Sequence, residues 1–457
     1  MAAARALITT RRQLTLAAFW FGISFVWGAL LAVALPFILV PEHPGPGNPL
    51  LVSAGSKNTA LSLLESGGLL VAILVQPAAG AFSDRLRSRW GRRRPLIAVG
   101  ALGAVASLVL IAGVQAFLLL VAVYCVLQFF MNVAQGAYQG LLPDTVPGAQ
   151  RGAASGWLGV ATLTGQVAGV VTAGPLKPRT ACLVIASVVL LTALLTVARI
   201  HESPLSEQTE TTPARMASGG WFHKLRGYAS EFRRYPDFCW VVLSRFLILT
   251  GLACIQRFAA YYINDAFRGQ YRLFGFDLGS AQTATSAMLA VVIIFGIAVA
   301  YPAVRLSDRV GRKPVLVAAA LFGALACLLF FVATSVTQVV LFALPAALGF
   351  GMVVSVDWAF MVDLAPRRRA GKFLGFSNLA TAGAQAAAPA LLGPVVDAVN
   401  GRTAPAQGVP GVGGYHVLFV AAAVFFLLGA LVLVKVRATR LADADEDPAV
   451  SSRFALT

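Results

Sequence analysis

The chain has 457 residues, of which 58% are hydrophobic and only 12% charged, and it carries a formal net charge of +17. That balance excludes an ordinary soluble enzyme and leaves a membrane protein, in which the placement of the 36 Lys and Arg matters more than their sum. Cys125, Cys182, Cys239, Cys254 and Cys327 stand singly in apolar runs, which reads as small core side chains rather than disulfides or zinc ligands.

The basic N-terminus leads into an apolar run at 14–40, too long for a signal-peptide core and read as a retained membrane helix. At about 20 apolar residues per crossing, further spans are expected at 58–82, 95–116, 118–142, 152–174 and 180–200. A polar stretch follows at 201–237, with an amphipathic patch around Trp221. Six more spans are expected at 238–264, 280–304, 314–333, 335–362, 372–397 and 415–436. The organisation expected is an N-terminal six-helix bundle (1–200), a cytoplasmic linker (201–237), a C-terminal six-helix bundle (238–440) and a disordered cytoplasmic tail (441–457). With both termini on one side, that side collects most of the Lys and Arg. The opposite side holds Lys57, Lys177, Arg179, Arg268, Arg272 and Arg402, and Arg245 and Arg257 lie inside spans. This bias orients the termini to the cytoplasm of a cell membrane and accounts for the basic charge without nucleic acid.

The halves repeat. "SDRLRSRWGRRRP" between spans two and three corresponds to "SDRVGRKP" between spans eight and nine. "LLPDTVPGAQRGAASGW" after span four corresponds to "FMVDLAPRRRAGKFLGF" after span ten, aligning Asp144 with Asp363, Gly152 with Gly371 and Gly156 with Gly375. Such a duplication suits a transporter whose halves rock about a central site. In the first loop Gly80 is expected to allow a close helix approach. Asp84 is expected to latch onto a helix N-terminus of the other half in one conformation, with Arg85, Gly91 and Arg92 turning the chain beneath it; Asp308 and Arg309 are the counterparts.

The "GxxxDR…GRR" pattern at 80–93, with its weaker copy at 308–313, resembles the signature loop of the major facilitator superfamily. The longer stretch, "VQPAAGAFSDRLRSRWGRRRP" at 75–95, resembles plant sucrose/proton symporters and their animal relatives. "SRWG" followed by basic residues and Pro is similar to the glycoside-pentoside-hexuronide cation symporters. The resemblance implies an all-α membrane protein of twelve transmembrane helices in two pseudo-symmetric six-helix bundles, importing a glucoside or disaccharide with a cation. Sodium-coupled members of the last group carry paired acidic residues on the second span, where this chain has only Glu65 before Asp84, so a proton is the expected coupling ion. No role carries over to His43.

Charges inside spans need a partner or a function. Depth suggests two pairs, Glu65 with Arg257 across the halves and Arg245 with Asp357 within the second. Glu65 and Asp357 are taken as the only acidic residues well inside spans, and so as the proton carriers. Asp357 is favoured because spans one, four, seven and ten line the cavity, as the resemblance implies. Tyr124, Gln128, Asn132, Gln135 and Gln139 recur at helical spacing on span four, and Asn378, Thr381 and Gln385 on span eleven. Amides both donate to and accept from hydroxyls, so these stripes suit a sugar. Trp358, and less so Trp20 and Trp27, offers an aromatic face for a pyranose, and Arg257 is included among the substrate-facing residues. Glycine steps on span five (Gly152, Gly156, Gly165, Gly169) and span eleven (Gly371, Gly375) are expected to pack and slide between the halves. No Walker loop, metal cluster or nucleophile triad appears, so neither an enzyme nor a cofactor is expected. The leading expectation is a monomeric proton–sugar symporter. A proton-coupled exporter of a hydrophobic drug or metabolite, and a non-transporting sensor on the same fold, are the alternatives.

Overall fold

The computed structural model describes residues 8–45, 48–86, 88–147, 150–200, 235–364, 370–404 and 411–437, and among them 12 helices are long and apolar enough to cross a bilayer. In chain order they are α1 (Thr10–Leu39), α2 (Lys57–Arg85), α3 (Arg94–Gly113), α4 (Phe117–Thr145), α5 (Arg151–Ala173) and α6 (Pro178–Arg199). The second set is α7 (Pro236–Phe267), α8 (Ala281–Val310), α9 (Arg312–Phe330), α10 (Val336–Leu364), α11 (Ala370–Thr403) and α12 (Gly413–Val434). A hairpin of β1 (Arg272–Leu273) and β2 (Phe276–Asp277) lies between α7 and α8. The expected tail lies outside the described residues, as does the expected linker except for 235–237.

Several helices outrun the expected spans: α2 starts at Lys57, α7 ends at Phe267 and α11 reaches Thr403. A hydropathy window stops at the first polar cluster, whereas backbone hydrogen bonding continues until the chain is capped or broken. Two helices widen into π-helical turns, α1 at Trp27–Ala34 and α10 at Val353–Asp357. Such turns are frequent at functional sites, and the second ends on Asp357.

The packing repeats with the sequence. In the first half α1 packs on α5 and α6, α2 on α4, and α3 on α4 and α6. In the second, α7 packs on α11 and α12, α8 on α10, and α9 on α10 and α12. The two six-helix bundles then meet through α2 on α11 and α5 on α8, a pair of contacts that the internal repeat interchanges. The span-five glycine steps play a different part from the one expected, while the side-chain surroundings of Gly371 and Gly375 lie outside the described residues. A methyl group at Gly165 or Gly169 would collide with the α1 carbonyls of Phe21 or Phe25, so these residues seat α5 on α1 inside one half, while Gly152 and Gly156 face open space.

The halves are joined toward the end opposite Thr10 and Val434, here called the far end. The α8 hydroxyls of Ser286 and Thr283 donate to the Val170 and Gly174 carbonyls at 2.6 and 3.1 Å. Gln282 Nε2 donates to Ala173 and Leu176 at 2.6 and 2.7 Å, and Tyr261 donates to the Pro36 carbonyl at 3.0 Å.

Candidate functional site

Three charged layers stack where α7 and α11 meet the first half. On α7 they are set by Arg245, Arg257 and Asp265, which at about 1.5 Å per residue lie about 18 Å and then about 12 Å apart along the axis.

The layer nearest the termini belongs to the second half. Arg245 Nη1 donates to Asp357 Oδ2, Nε donates to Thr381 Oγ1 at 3.0 Å, and the guanidinium carbon stands 5.7 Å from the centre of the Trp358 ring. Asp357 is buried and Trp358 is 42% exposed, so an ion pair sits beneath an accessible aromatic surface. Asn378, one turn from Thr381 on α11, is exposed. Thr381, expected in the sugar stripe, instead holds the arginine.

The middle layer crosses the halves. Arg257 Nη1 donates to Glu65 Oε1 at 3.2 Å and Nη2 to Gln385 Oε1 at 3.4 Å. Both pairings expected from depth are therefore present. Glu65 is buried, and its Oε2 has no hydrogen-bond partner among the described residues.

The far layer was missed by the sequence reading. Lys57 Nζ meets Asp265 Oδ1 at 2.5 Å, and Tyr415 donates to Asp265 Oδ2 at 2.6 Å. Asp397 accepts from the Asn58 and Thr59 backbone N–H groups at 3.3 and 2.7 Å, and from their side chains at 2.8 and 2.6 Å. Glu65 and Asp357 are thus not the only acids inside helices, because Asp265 and Asp397 are buried there too. Both stood at or just past a hydropathy edge. The signal available was the four-residue step from Arg257 through Tyr261 to Asp265, which continues one helical face.

The remaining candidates divide. Gln128 and Asn132 are buried in the first half and satisfy their neighbours: Gln128 Nε2 donates to Tyr124 at 2.8 Å, and Asn132 Nδ2 to Gln128 O and Oε1 at 2.8 and 3.1 Å. Gln135 is half-buried. Trp20 stacks on Tyr138 and donates to Thr162, which makes it packing within the first half.

In the signature loop, Asp84 pairs with Arg93 of its own half, and Arg93 and Arg92 both hold Asp144 of α4, at 3.0 and 2.6 Å. Arg312 holds Asp363 in the corresponding place, so the aligned aspartates brace equivalent loops. Gly91 and Gly311 share φ near the same positive value, 94° and 93°, where a side chain would strain the turn. Arg85, Asp308 and Arg309 are exposed. Gly80 is not the crowded glycine: a methyl there would sit 3.5 Å from the Gly136 carbonyl, whereas one on Gly136 would sit 2.5 Å from the Gln76 carbonyl.

The profile of the Major Facilitator Superfamily matches residues 14–389 and 253–455. The chain is 32% identical to the General alpha-glucoside permease of Schizosaccharomyces pombe over 27% of its own length and 26% of that protein. It is 24% identical to the Sucrose transport protein SUC4 of Arabidopsis thaliana over 63% of its length and 60% of that relative. These matches span about a quarter and three-fifths of the two relatives. The Multi-drug resistance efflux pump PmrA of Streptococcus pneumoniae is 23% identical over 88% of this chain and 90% of its own. Among solved structures, an inward-facing, occupied bacterial homolog of the human lysosomal transporter Spinster superposes with a TM-score of 0.71 at 14% identity, covering 94% of this chain and 98% of that one. A D-xylose-proton symporter superposes with a TM-score of 0.66 at 16% identity, covering 94% and 99%.

Proposed function

The chain belongs to the Major Facilitator Superfamily and is a multi-pass transporter, not an enzyme, and from that premise we propose that it imports a sugar, a glucoside or disaccharide such as sucrose or maltose, together with a proton. The observation that carries this reading is the Arg245–Asp357 pair under Trp358. A proton arriving at Asp357 neutralises the carboxylate and frees the Arg245 guanidinium, which then has donors for a sugar hydroxyl lying against the indole face. Release of sugar lets Arg245 return and expel the proton, so the two cargoes move together. Asn378 and Gln385 on α11 supply further amide contacts. The middle layer closes over the sugar from the far side through Glu65 and Arg257. Alternation of the halves moves the opening from one face to the other.

The arginine bias supports a reading in which both termini face the cytoplasm of the cell membrane; the same proposal takes the protein as a monomer with the proton as coupling ion and no other cofactor. A second reading, proton-coupled export of a hydrophobic drug or metabolite, is favoured by the long match to the efflux pump. Proteoliposomes with an imposed proton gradient, challenged with labelled disaccharides and lipophilic cations, separate the two. Saturable, gradient-driven sugar accumulation is the expected result, and gradient-driven cation extrusion without sugar uptake sinks the sugar reading.

A further inference from the structure

The far layer joins the halves twice, through a buried ion pair and through a carboxylate on a helix N-terminus. Lys57, Asp265 and Asp397 are all buried, and each side-chain contact described above for them, apart from the Tyr415 hydroxyl, comes from the opposite half. Lys57 belongs to the first half; Asp265, Tyr415 and Asp397 belong to the second. Parting the halves at this end strands Lys57 from Asp265, and removing one member of a buried ion pair is strongly unfavourable.

Asp397 does a second job. The residue preceding α2, Ser56, makes no capping bond with its side chain, so the first N–H groups of this 29-residue helix look outside their own half for an acceptor. Asp397 supplies it, with a full negative charge at the positive end of the helix dipole. Backbone geometry makes the same point independently. A methyl on Gly393 of α11 would stand 2.1 Å from Ser62 Oγ and 2.7 Å from the Asn58 carbonyl of α2, so α2 and α11 reach this distance only because position 393 is glycine.

We propose that Lys57, Asp265, Asp397 and Gly393 form the lock that holds the far end closed and so sets which face of the transporter is open at rest. This rests on the alternating-access reading above. The lock is separate from the proton-carrying Arg245–Asp357 pair. The four residues are positioning residues that act on the equilibrium between conformations.

The test uses the full chain in lipid nanodiscs with its five cysteines replaced and spin labels at the exposed positions Ala54 and Gln270, one on each half at the far end. Pulsed electron resonance then reads the distance between the halves. The parent protein should show a short distance. Lys57→Met, Asp397→Asn and Gly393→Val should each move the population toward a longer one, the Lys57→Met ratio by on the order of a hundredfold. Gly393→Val touches no charge, and the exchange Lys57→Asp with Asp265→Lys should return part of the short distance, so loss of folding does not mimic the result. Unchanged distances in all three single variants overturn the lock. If the distances shift but no variant, the parent included, moves sugar against a gradient, the lock stands and the sugar reading falls. If the parent accumulates sugar and the distances never move, the reverse holds.

Discussion

At the scale of residues, the site is a set of charges whose partners decide their chemistry. Asp357 sits at the end of a widened turn and is answered by an arginine that Thr381 holds by its other face. In the proposed mechanism this carboxylate takes the proton as Arg245 leaves it. One pH unit across the membrane supports about tenfold accumulation for one proton per sugar. Asp357→Asn should bring that ratio to about one while leaving sugar exchange between equal concentrations in place, as read by labelled uptake with and without a gradient. Retained uphill accumulation removes Asp357 from the proton path. The sequence disclosed this pair because both residues interrupt apolar runs at similar depth. The amides of Gln128 and Asn132 were equally visible, yet their hydrogen bonds are used within the first half, and spacing alone does not reveal which face of a helix is already satisfied.

At the scale of elements, the repeated loops hold each bundle together at the termini end. Arg92 and Arg93 tie the start of α3 to the end of α4 through Asp144, and Arg312 does the same for α9 and α10 through Asp363. The alignment of Asp144 with Asp363 was legible because the two loops share a register. The role of glycine was not, because a close approach depends on what stands opposite. Gly136→Ala places a methyl against the Gln76 carbonyl and should cost about 1–3 kcal/mol, lowering the melting temperature of the detergent-solubilised protein. Gly80→Ala meets only an ordinary contact and should leave the melting temperature level or slightly higher, given the helix preference of alanine of up to about 1 kcal/mol. Equal losses for both variants would contradict this account of the α2–α4 contact.

At the scale of the whole molecule, the alternation proposed above would return to water the groups now buried at the far end. Glu42, in the loop after α1, accepts from the Gln282 backbone N–H at the start of α8 at 3.0 Å, a contact between halves. Burial pushes its carboxyl above the ordinary range, against the pull of the Gln282 and Ala281 N–H groups and of His43 nearby. A group whose value is raised in the closed form favours that form when protonated, and the gain is lost as the pH climbs through the raised value. Acidifying the far side from neutrality should therefore shift the spin-label distance toward closure, and Glu42→Gln should abolish that pH-dependent part. An identical titration in the variant would contradict it.

The sequence by itself determined the twelve crossings, the twofold repeat and two of the three charged layers, because hydropathy, loop register and depth are signals that run along the chain. Only the tertiary structure decided that Lys57 is a buried partner of Asp265 and not a loop charge, that Asp397 accepts from the start of α2, that Gly165 and Gly169 of α5 serve α1, and that Asp84 pairs within its own half. Those outcomes depend on how one bundle is rotated and shifted against the other. That relation is set by the summed packing of α2 on α11 and α5 on α8, and no local period encodes it.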